Sequence, residues 1–301
     1  MIPDVQIGLV GLDSSHAPLF TRLLNGVLDA RPEVLGGHVT AAFAGEPSVD
    51  LPLSVDRLSG YVGEVCGELG VPRVGSLDEL AEACDAFVIT GVDSRRRAQQ
   101  LGAIVGYGKP VFVDKPFALS GALATAMLER ARRAGVIVWG SSSKRFAPAL
   151  QEALRRCPCP NRVDVIGPLP EQPGIPGLFW YGVHQVEILY TALGAGCASV
   201  YADEDGDGVR VEGRWADGRL GTLGGARAWS RHISGTLSGD AGVARFDIDA
   251  FSDADAIGQL DAILATFRGA AAPAEPAEII EIVRFLDAAN TSMRTGLRVT
   301  L

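Results

Sequence analysis

Between Val5 and Gly140 the chain alternates between short apolar runs and stretches of helical periodicity. The runs are Val5–Val10, Val39–Ala44, Ala86–Thr90, Val111–Val113 and Val136–Gly140. Strands alternating with helices of about 10–15 residues predict a parallel sheet with right-handed crossovers, because a tight hairpin cannot join parallel neighbours. The first helix is expected over His16–Leu28, with Leu19, Phe20, Leu23, Leu24, Val27 and Leu28 on one face. Further helices are expected at Val62–Leu69, after Ser76, over Arg97–Tyr107 before Gly108, and over Ser120–Ala134. Ser76 with Glu79 three residues on has the spacing of a helix cap.

After about residue 145 the pattern changes. Pro158–Pro176 is rich in proline and reads as an irregular connection, and Val183–Leu193 as an apolar helix stopped by Gly194. Short strand-like segments then follow at Ser199–Ala202, Val209–Trp215, Leu220–Leu223, Ala226–Trp229, Ile233–Leu237 and Ala244–Ile248. Such runs with Gly/Asp turns suggest an antiparallel sheet. A helix over Ala277–Met293 and a strand over Leu297–Leu301 close the chain, with Gly269–Pro276 as a surface loop. A chain of 301 residues is long enough for two domains.

Net charge is −9 and the only basic run is Arg95–Arg97, which argues against nucleic acid as a partner. No run of about 18 apolar residues and no basic leader precede the first strand, so the expectation is a cytoplasmic protein without a membrane partner. The five cysteines are odd in number and scattered, which does not suggest a disulfide framework. No metal site is expected. Cys157-Pro158-Cys159 lacks further ligands at a matching spacing. Asp203-Glu204-Asp205-Gly206-Asp207 imitates a calcium loop, but Arg214 stands at the twelfth position, where a bidentate glutamate is needed. An acidic hairpin turn is the reading.

Of 27 basic residues only Lys109, Lys115 and Lys144 are lysine. Where arginine is the default, a surviving lysine suggests a need for a compact ammonium. Lys115 follows the strand Val111–Val113 and precedes Pro116, which places it at a carboxyl strand end, where open α/β sheets put ligands. The run Gly8-Leu9-Val10-Gly11-Leu12-Asp13-Ser14-Ser15-His16 lies where a dinucleotide fingerprint belongs. Counted from Gly11, Asp13 and His16 replace the second and third glycines. Two readings stand. In one this is a modified cofactor loop, with Asp13 opposing phosphate and His16 partly offsetting it. In the other Asp13, Ser14 or Ser15 caps the helix itself. Beyond the second strand, Glu46 is the acid that could reach a ribose, and NAD is not distinguished from NADP.

Taken together, these residues resemble the glucose–fructose oxidoreductase / inositol dehydrogenase (Gfo/Idh/MocA) family, from Ile7 to Leu301, as an atypical member. Val113-Asp114-Lys115-Pro116 resembles its Glu-Lys-Pro signature, with Asp for Glu. Val88-Ile89-Thr90-Gly91-Val92-Asp93 resembles a cofactor-side loop, and Arg145-Phe146-Ala147-Pro148 an Arg-Phe-x-Pro segment. Tyr181-Gly182-Val183-His184-Gln185-Val186-Glu187 resembles its Gly-x-His-x-x-Asp helix, and the closing stretch with Ser292 and Gly296 also fits. The resemblance implies an α/β protein: a Rossmann-like doubly wound parallel sheet over 1–143, then an α+β domain with a large, mainly antiparallel open sheet over 144–301. It implies an active site between the two, with NAD or NADP held by Gly8, Gly11, Leu12, Asp13, Ser14, His16, Thr90, Asp93, Asp114 and Lys115. Lys115 and His184 are implied as catalytic residues. The family often has an aspartate four residues before the histidine, and here Trp180 stands there. A homodimer or homotetramer is implied through the open sheet.

The chemistry agrees with this. Oxidising a carbinol needs a base for the hydroxyl proton, which a histidine suits, and a cation for the developing alkoxide, which Lys115 suits. Trp180 and Tyr181 offer flat faces to a sugar ring, while Glu187 and Arg145 are candidate substrate contacts. The expected function is NAD(P)-dependent oxidation of a sugar, cyclitol or related polyol. The alternatives are a cofactor-poor binding or regulatory protein without turnover, and nicotinamide-assisted glycoside cleavage.

Overall fold

The computed structural model describes residues 4–27, 32–250 and 252–301, so Leu28 of the expected first helix face lies outside the described residues. The chain divides into two compact units. The first comprises residues 1–118, 125–140 and 260–274, and the second 119–124, 141–259 and 275–301. The C-terminal half thus returns a segment, 260–274, to the first unit.

The first unit is built on β1 (Val5–Val10), α1 (His16–Asn25), β2 (Gly37–Phe43), α2 (Pro52–Val62), α3 (Leu77–Glu82), β3 (Ala86–Ile89), α4 (Arg97–Ile104), β4 (Val111–Val113), α5 (Gly121–Arg133, shared with the second unit) and β5 (Val138–Trp139). Its five strands are all parallel in the order β2-β1-β3-β4-β5. Strands β3 and β4 are buried at every residue, as expected of a sheet covered on both faces. Phe112 packs edge-on against Trp139 at 4.9 Å between ring centroids. Each such fully buried side chain contributes about 1.5–3 kcal/mol relative to exposure. Ser76 caps α3, its Oγ accepting the Glu79 amide at 3.1 Å, while Glu79 Oε2 accepts the Gly75 amide at 2.9 Å. The helix expected at Val62–Leu69 is a π-helical stretch, Gly63–Glu68, continuing from α2. Gly60, Gly63 and Gly67 break the apolar periodicity that would have revealed the longer helix.

The second unit adds α6 (Pro148–Arg156), β6 (Arg162–Ile166), α7 (Gly182–Leu193), β7 (Cys197–Asp205), β8 (Gly208–Trp215), β9 (Leu220–Ala226), β10 (His232–Gly239), β11 (Gly242–Asp249), α8 (Ala254–Phe267, its later residues in the first unit), α9 (Pro276–Thr295) and β12 (Val299–Thr300). The sheet runs β11-β10-β6-β9-β8-β7-β12, antiparallel except for β6 with β9. Two expectations change here. The proline-rich connection contains β6, an internal strand, and the two segments expected at Leu220–Leu223 and Ala226–Trp229 begin as one strand, β9. The acidic run forms the β7–β8 hairpin, with Asp205 opposite Gly208. Helix α7 is buried from Gly182 to Tyr190 on all sides, which is the pattern of a central helix. Glu281 of α9 secures its far end, accepting from the Tyr190 hydroxyl at 3.0 Å and from the Gly196 and Cys197 amides at 2.8 and 2.6 Å. Among the described residues no helix is long and apolar enough to cross a membrane.

Candidate functional site

In the first unit the chemistry gathers at the carboxyl ends of β1, β3 and β4. The strand order reverses between β1 and β3, and ligands of open α/β sheets bind at such a switch point. A cavity of about 210 Å³ lies there, lined by Gly11, Asp13, Phe43, Glu46, Gly91 and Gln100 among others. Gly11 has φ +84°, and a Cβ on it would stand 2.7 Å from the Cα of Gly91, so the two loops can approach this closely only with glycine at position 11. The Thr90 hydroxyl closes the same contact by donating to the Gly11 carbonyl at 2.5 Å. Gly8 lies inside β1, where a Cβ would stand 2.8 Å from Cys84 Sγ. Its lack of a side chain serves packing on α3 rather than the loop.

Asp13 is the departure with the clearest physical account. It does not cap α1: its Oδ1 accepts the Val92 amide at 2.8 Å and its Oδ2 the Ser54 hydroxyl at 2.5 Å. The carboxylate therefore ties the first loop to the third and to α2. Ser14, not Asp13, serves the helix start, its Oγ accepting the His16 amide at 3.1 Å. Leu12 is fully buried, with its amide on the Ala44 carbonyl at 3.3 Å.

His16 takes part in a contact that sequence reasoning missed. Its Nδ1 lies 2.8 Å from Asp114 Oδ2, 98 residues away, and its ring stacks on Phe20 at 5.2 Å. Asp114 is buried, which pushes its carboxyl up, but His16, Lys115 and Arg97 outweigh burial and hold it well below the usual carboxylate range. Arg97, expected as part of a solvated helix start, is instead buried beneath the site. Burial pulls its guanidinium below its ordinary value, and Asp114, Asp13 and Asp93 oppose that pull. The neighbouring arginine behaves differently: Arg95 forks onto Asp50 at 2.6 and 2.8 Å and also holds Asp93. Burial raises the Asp93 carboxyl, and Arg95 more than reverses it. Lys115 is half-buried directly after β4, and its peptide bond to Pro116 is cis.

In the second unit His184, Glu187 and Arg145, singled out from sequence, join with Ser142 into one buried network. His184, in the first turn of α7, is 6% exposed, and its Nδ1 lies 2.6 Å from Ser142 Oγ. Tyr181 packs edge-on against the imidazole at 5.0 Å between centroids. The Trp229 indole donates to the Tyr181 hydroxyl at 3.2 Å, and this half-exposed tryptophan had no signal in the sequence marking it for the site. Glu187 accepts the Ser142 amide at 3.0 Å through one oxygen and Arg145 Nε at 3.0 Å through the other. Arg145 also pairs with Glu278 of α9. Burial raises the Glu187 carboxyl above its ordinary value against the pull of Arg145. Arg145 and Glu187 thus hold each other and the backbone of Ser142. Lys144 is likewise engaged, with Nζ 2.6 Å from Asp255 in a buried pair. The thiols of Cys84 and Cys197 are pushed up to about 11 and about 12 by burial, which makes them poor nucleophiles. Among the described residues no cluster of three His, Cys, Asp or Glu could hold a metal.

A dinucleotide fits the residues of the first unit. The cavity lies at the switch point, and Gln100 lines it with a buried Oε1 that has no hydrogen-bond partner among the described residues. The carboxylate of Asp13 already accepts two hydrogen bonds.

Comparison with known proteins places this geometry. Residues 37–141 match the GFO_IDH_MocA model, an oxidoreductase family with an NAD-binding Rossmann fold. The solved structure of GenD2 from gentamicin A biosynthesis, in complex with NAD, is 17% identical with a TM-score of 0.78, over 100% of this chain and 97% of that one. Scyllo-inositol dehydrogenase from Lactobacillus casei, with bound NAD(H) and scyllo-inositol, is 16% identical with a TM-score of 0.77 over 99% of both chains. An oxidoreductase from Agrobacterium radiobacter, in complex with NAD+, L-tartaric acid and magnesium, is 14% identical with a TM-score of 0.77, over 99% of this chain and 98% of that one. At such identities the likeness speaks for the fold. No curated protein matches by sequence.

Proposed function

We propose that the chain, whose residues 37–141 match the model of the Gfo/Idh/MocA oxidoreductase family, oxidises a carbinol carbon of a sugar, cyclitol or related polyol with NAD as acceptor. The observation that carries this reading is the place of Lys115, directly beyond a buried parallel strand and beside a carboxylate that stays charged. The bound nicotinamide supplies the hydride acceptor that no side chain can. Gly11, Leu12 and Asp13 through their backbone, with Thr90, Asp93 and Gln100 around them, would hold the dinucleotide. Glu46 beyond β2 would accept the ribose hydroxyls, and its charge would oppose a 2′-phosphate.

The chain's own groups do the proton and charge work. His184 takes the hydroxyl proton as base, and the Lys115 ammonium stabilises the negative charge developing on that oxygen. Tyr181, with Trp229 hydrogen-bonded to it, offers an aromatic surface to the C–H face of a ring, and Trp180 is the adjoining candidate. Asp114, hydrogen-bonded to His16, keeps a charged carboxylate next to Lys115. Arg145 and Glu187 are assigned here to bracing the His184 side of the site instead of to substrate.

The test is direct. Purified protein is titrated with NADH and NADPH by fluorescence, then assayed on a panel of cyclitols and aldoses. Binding of NADH with NADH-forming turnover supports the proposal. Absence of binding at millimolar cofactor sinks it and leaves the second reading, a binding protein without turnover, which the loss of fingerprint glycines at Asp13 and His16 favours. We further propose a homodimer or homotetramer joined through the open sheet, whose outer face carries the ion pairs Arg162–Asp164, Arg214–Glu212 and Arg298–Glu212. Light scattering reads the mass directly, and a monomer overturns this part.

A further inference from the structure

We propose that Ser142 is the positioning residue of the His184 imidazole, doing with a hydroxyl what a carboxylate would otherwise do from the position of Trp180; this rests on reading His184 as the base. Three contacts fix the serine. It is fully buried, and its amide donates to Glu187 Oε1 at 3.0 Å. Its Oγ accepts the Lys144 amide at 3.2 Å and lies 2.6 Å from His184 Nδ1. Glu187 is in turn anchored by Arg145, which reaches on to Glu278 of α9. The hydroxyl is thus mounted on a frame that spans α6's leading turn, α7 and α9.

The chemistry follows from the hydroxyl's inventory. A serine has one donor and two acceptor lone pairs, and a carboxylate only accepts. One lone pair of Ser142 is taken by the Lys144 amide. The remaining lone pair and the proton both serve Nδ1, so by rotating the hydroxyl can donate to a bare Nδ1 or accept from a protonated one. A carboxylate would lock the proton on Nδ1 and stabilise the imidazolium. A hydroxyl holds the ring in place, accommodates either tautomer, and brings no countercharge. Of the charged groups on the elements packed against α7, Arg145 pairs with both Glu187 and Glu278, Lys144 with Asp255 and Arg162 with Asp164, Glu281 accepts the Cys197 amide, and Arg284, Asp287 and Arg294 of α9 are exposed. Ser142 thus positions the ring through a group that can serve Nδ1 in either protonation state.

The experiment uses the full chain labelled with 15N-histidine, in which His184 is assigned by its loss in His184→Asn. In the unmodified protein the His184 ring nitrogens should report a hydroxyl-bonded Nδ1, with tautomer populations unlike those of a free imidazole. Ser142→Ala should return them toward free-imidazole values, shift the pH–rate limb, and lower kcat about 10- to 100-fold with KM within about threefold. Ser142→Thr, which keeps the hydroxyl, should restore shifts and rate. A free-imidazole signature in the unmodified protein overturns the proposal without recourse to any variant. So does a Ser142→Ala protein with unchanged kcat and pH limb while His184→Asn is inactive. If His184→Asn keeps the full rate, the reading of His184 as base falls instead, and the catalytic part of this proposal with it.

Discussion

Two of the three lysines are committed to architecture. Lys109 donates to the carbonyls of Ala81 and Cys84 at the end of α3, and Lys144 is buried against Asp255. Both places suit a slender ammonium, so scarcity of lysine marked structural sites as well as Lys115. Lys115→Arg is expected to lower kcat at least about 100-fold while leaving NADH binding within about threefold, because charge is kept but its placement at the alkoxide is lost. At Asp13 the structure reverses the experiment suggested by the sequence. Removing a carboxylate thought to repel phosphate should tighten binding, yet here it would orphan the Ser54 hydroxyl and the Val92 amide. Asp13→Ala is therefore expected to cost about 1–3 kcal/mol in urea unfolding and to weaken NADH binding. Tighter binding would return Asp13 to the role of a repelling charge. Separately, Glu46→Gln is expected to narrow the preference for NADH over NADPH in the fluorescence titration, since it removes the charge opposed to a 2′-phosphate.

At the scale of elements, legibility followed local pattern. Strands β1 and β4 have the boundaries expected of them, and the Ser76 cap is where its spacing put it, because each is written in consecutive residues. Strand β6 was hidden by its setting. Arg162–Ile166 alternates exposed and buried side chains as a half-buried strand should, but Pro158, Pro160, Pro168 and Pro170 surround it. Helices α6 and α8 went unread for a related reason: Pro148, the first residue of α6, and the irregular apolar spacing of α8 masked their starts. The contacts of the proposed site residues were not legible in the sequence. Ser142 lies 42 residues from His184 and Asp114 lies 98 from His16, and only the fold can supply such pairs. The β6–β9 pairing carries its own test. Gly225, at the end of β9, has φ +154°, and a Cβ there would stand 1.7 Å from the Gly167 carbonyl oxygen. Gly225→Ala is expected to cost about 3 kcal/mol or more in urea unfolding, whereas Gly218→Ala, in an open turn at φ +94°, should cost about 1–2 kcal/mol.

For the molecule as a whole, acid stability should depend on buried charge at the carboxyl ends of the first sheet. Asp114 titrates below its unfolded value of about 3.9, so its contribution is complete above that pH and is lost as pH falls through the folded value. Glu187 has the opposite sign. Its folded value is raised, so its contribution is present below about 4.3 and is lost as pH rises through the folded value. Urea midpoints measured from pH 5 down to pH 2 are expected to fall more steeply in the unmodified protein than in Asp114→Asn. Equal slopes would mean that His16 and Arg97 do not hold the Asp114 charge. The near absence of lysine has a practical outcome as well. An amine-selective acylating reagent has only three side-chain targets in the chain, and Lys115 is the one that follows β4. Protection of that one residue from acylation by added NAD or by a polyol would map ligand occupancy by mass spectrometry before any substrate is known.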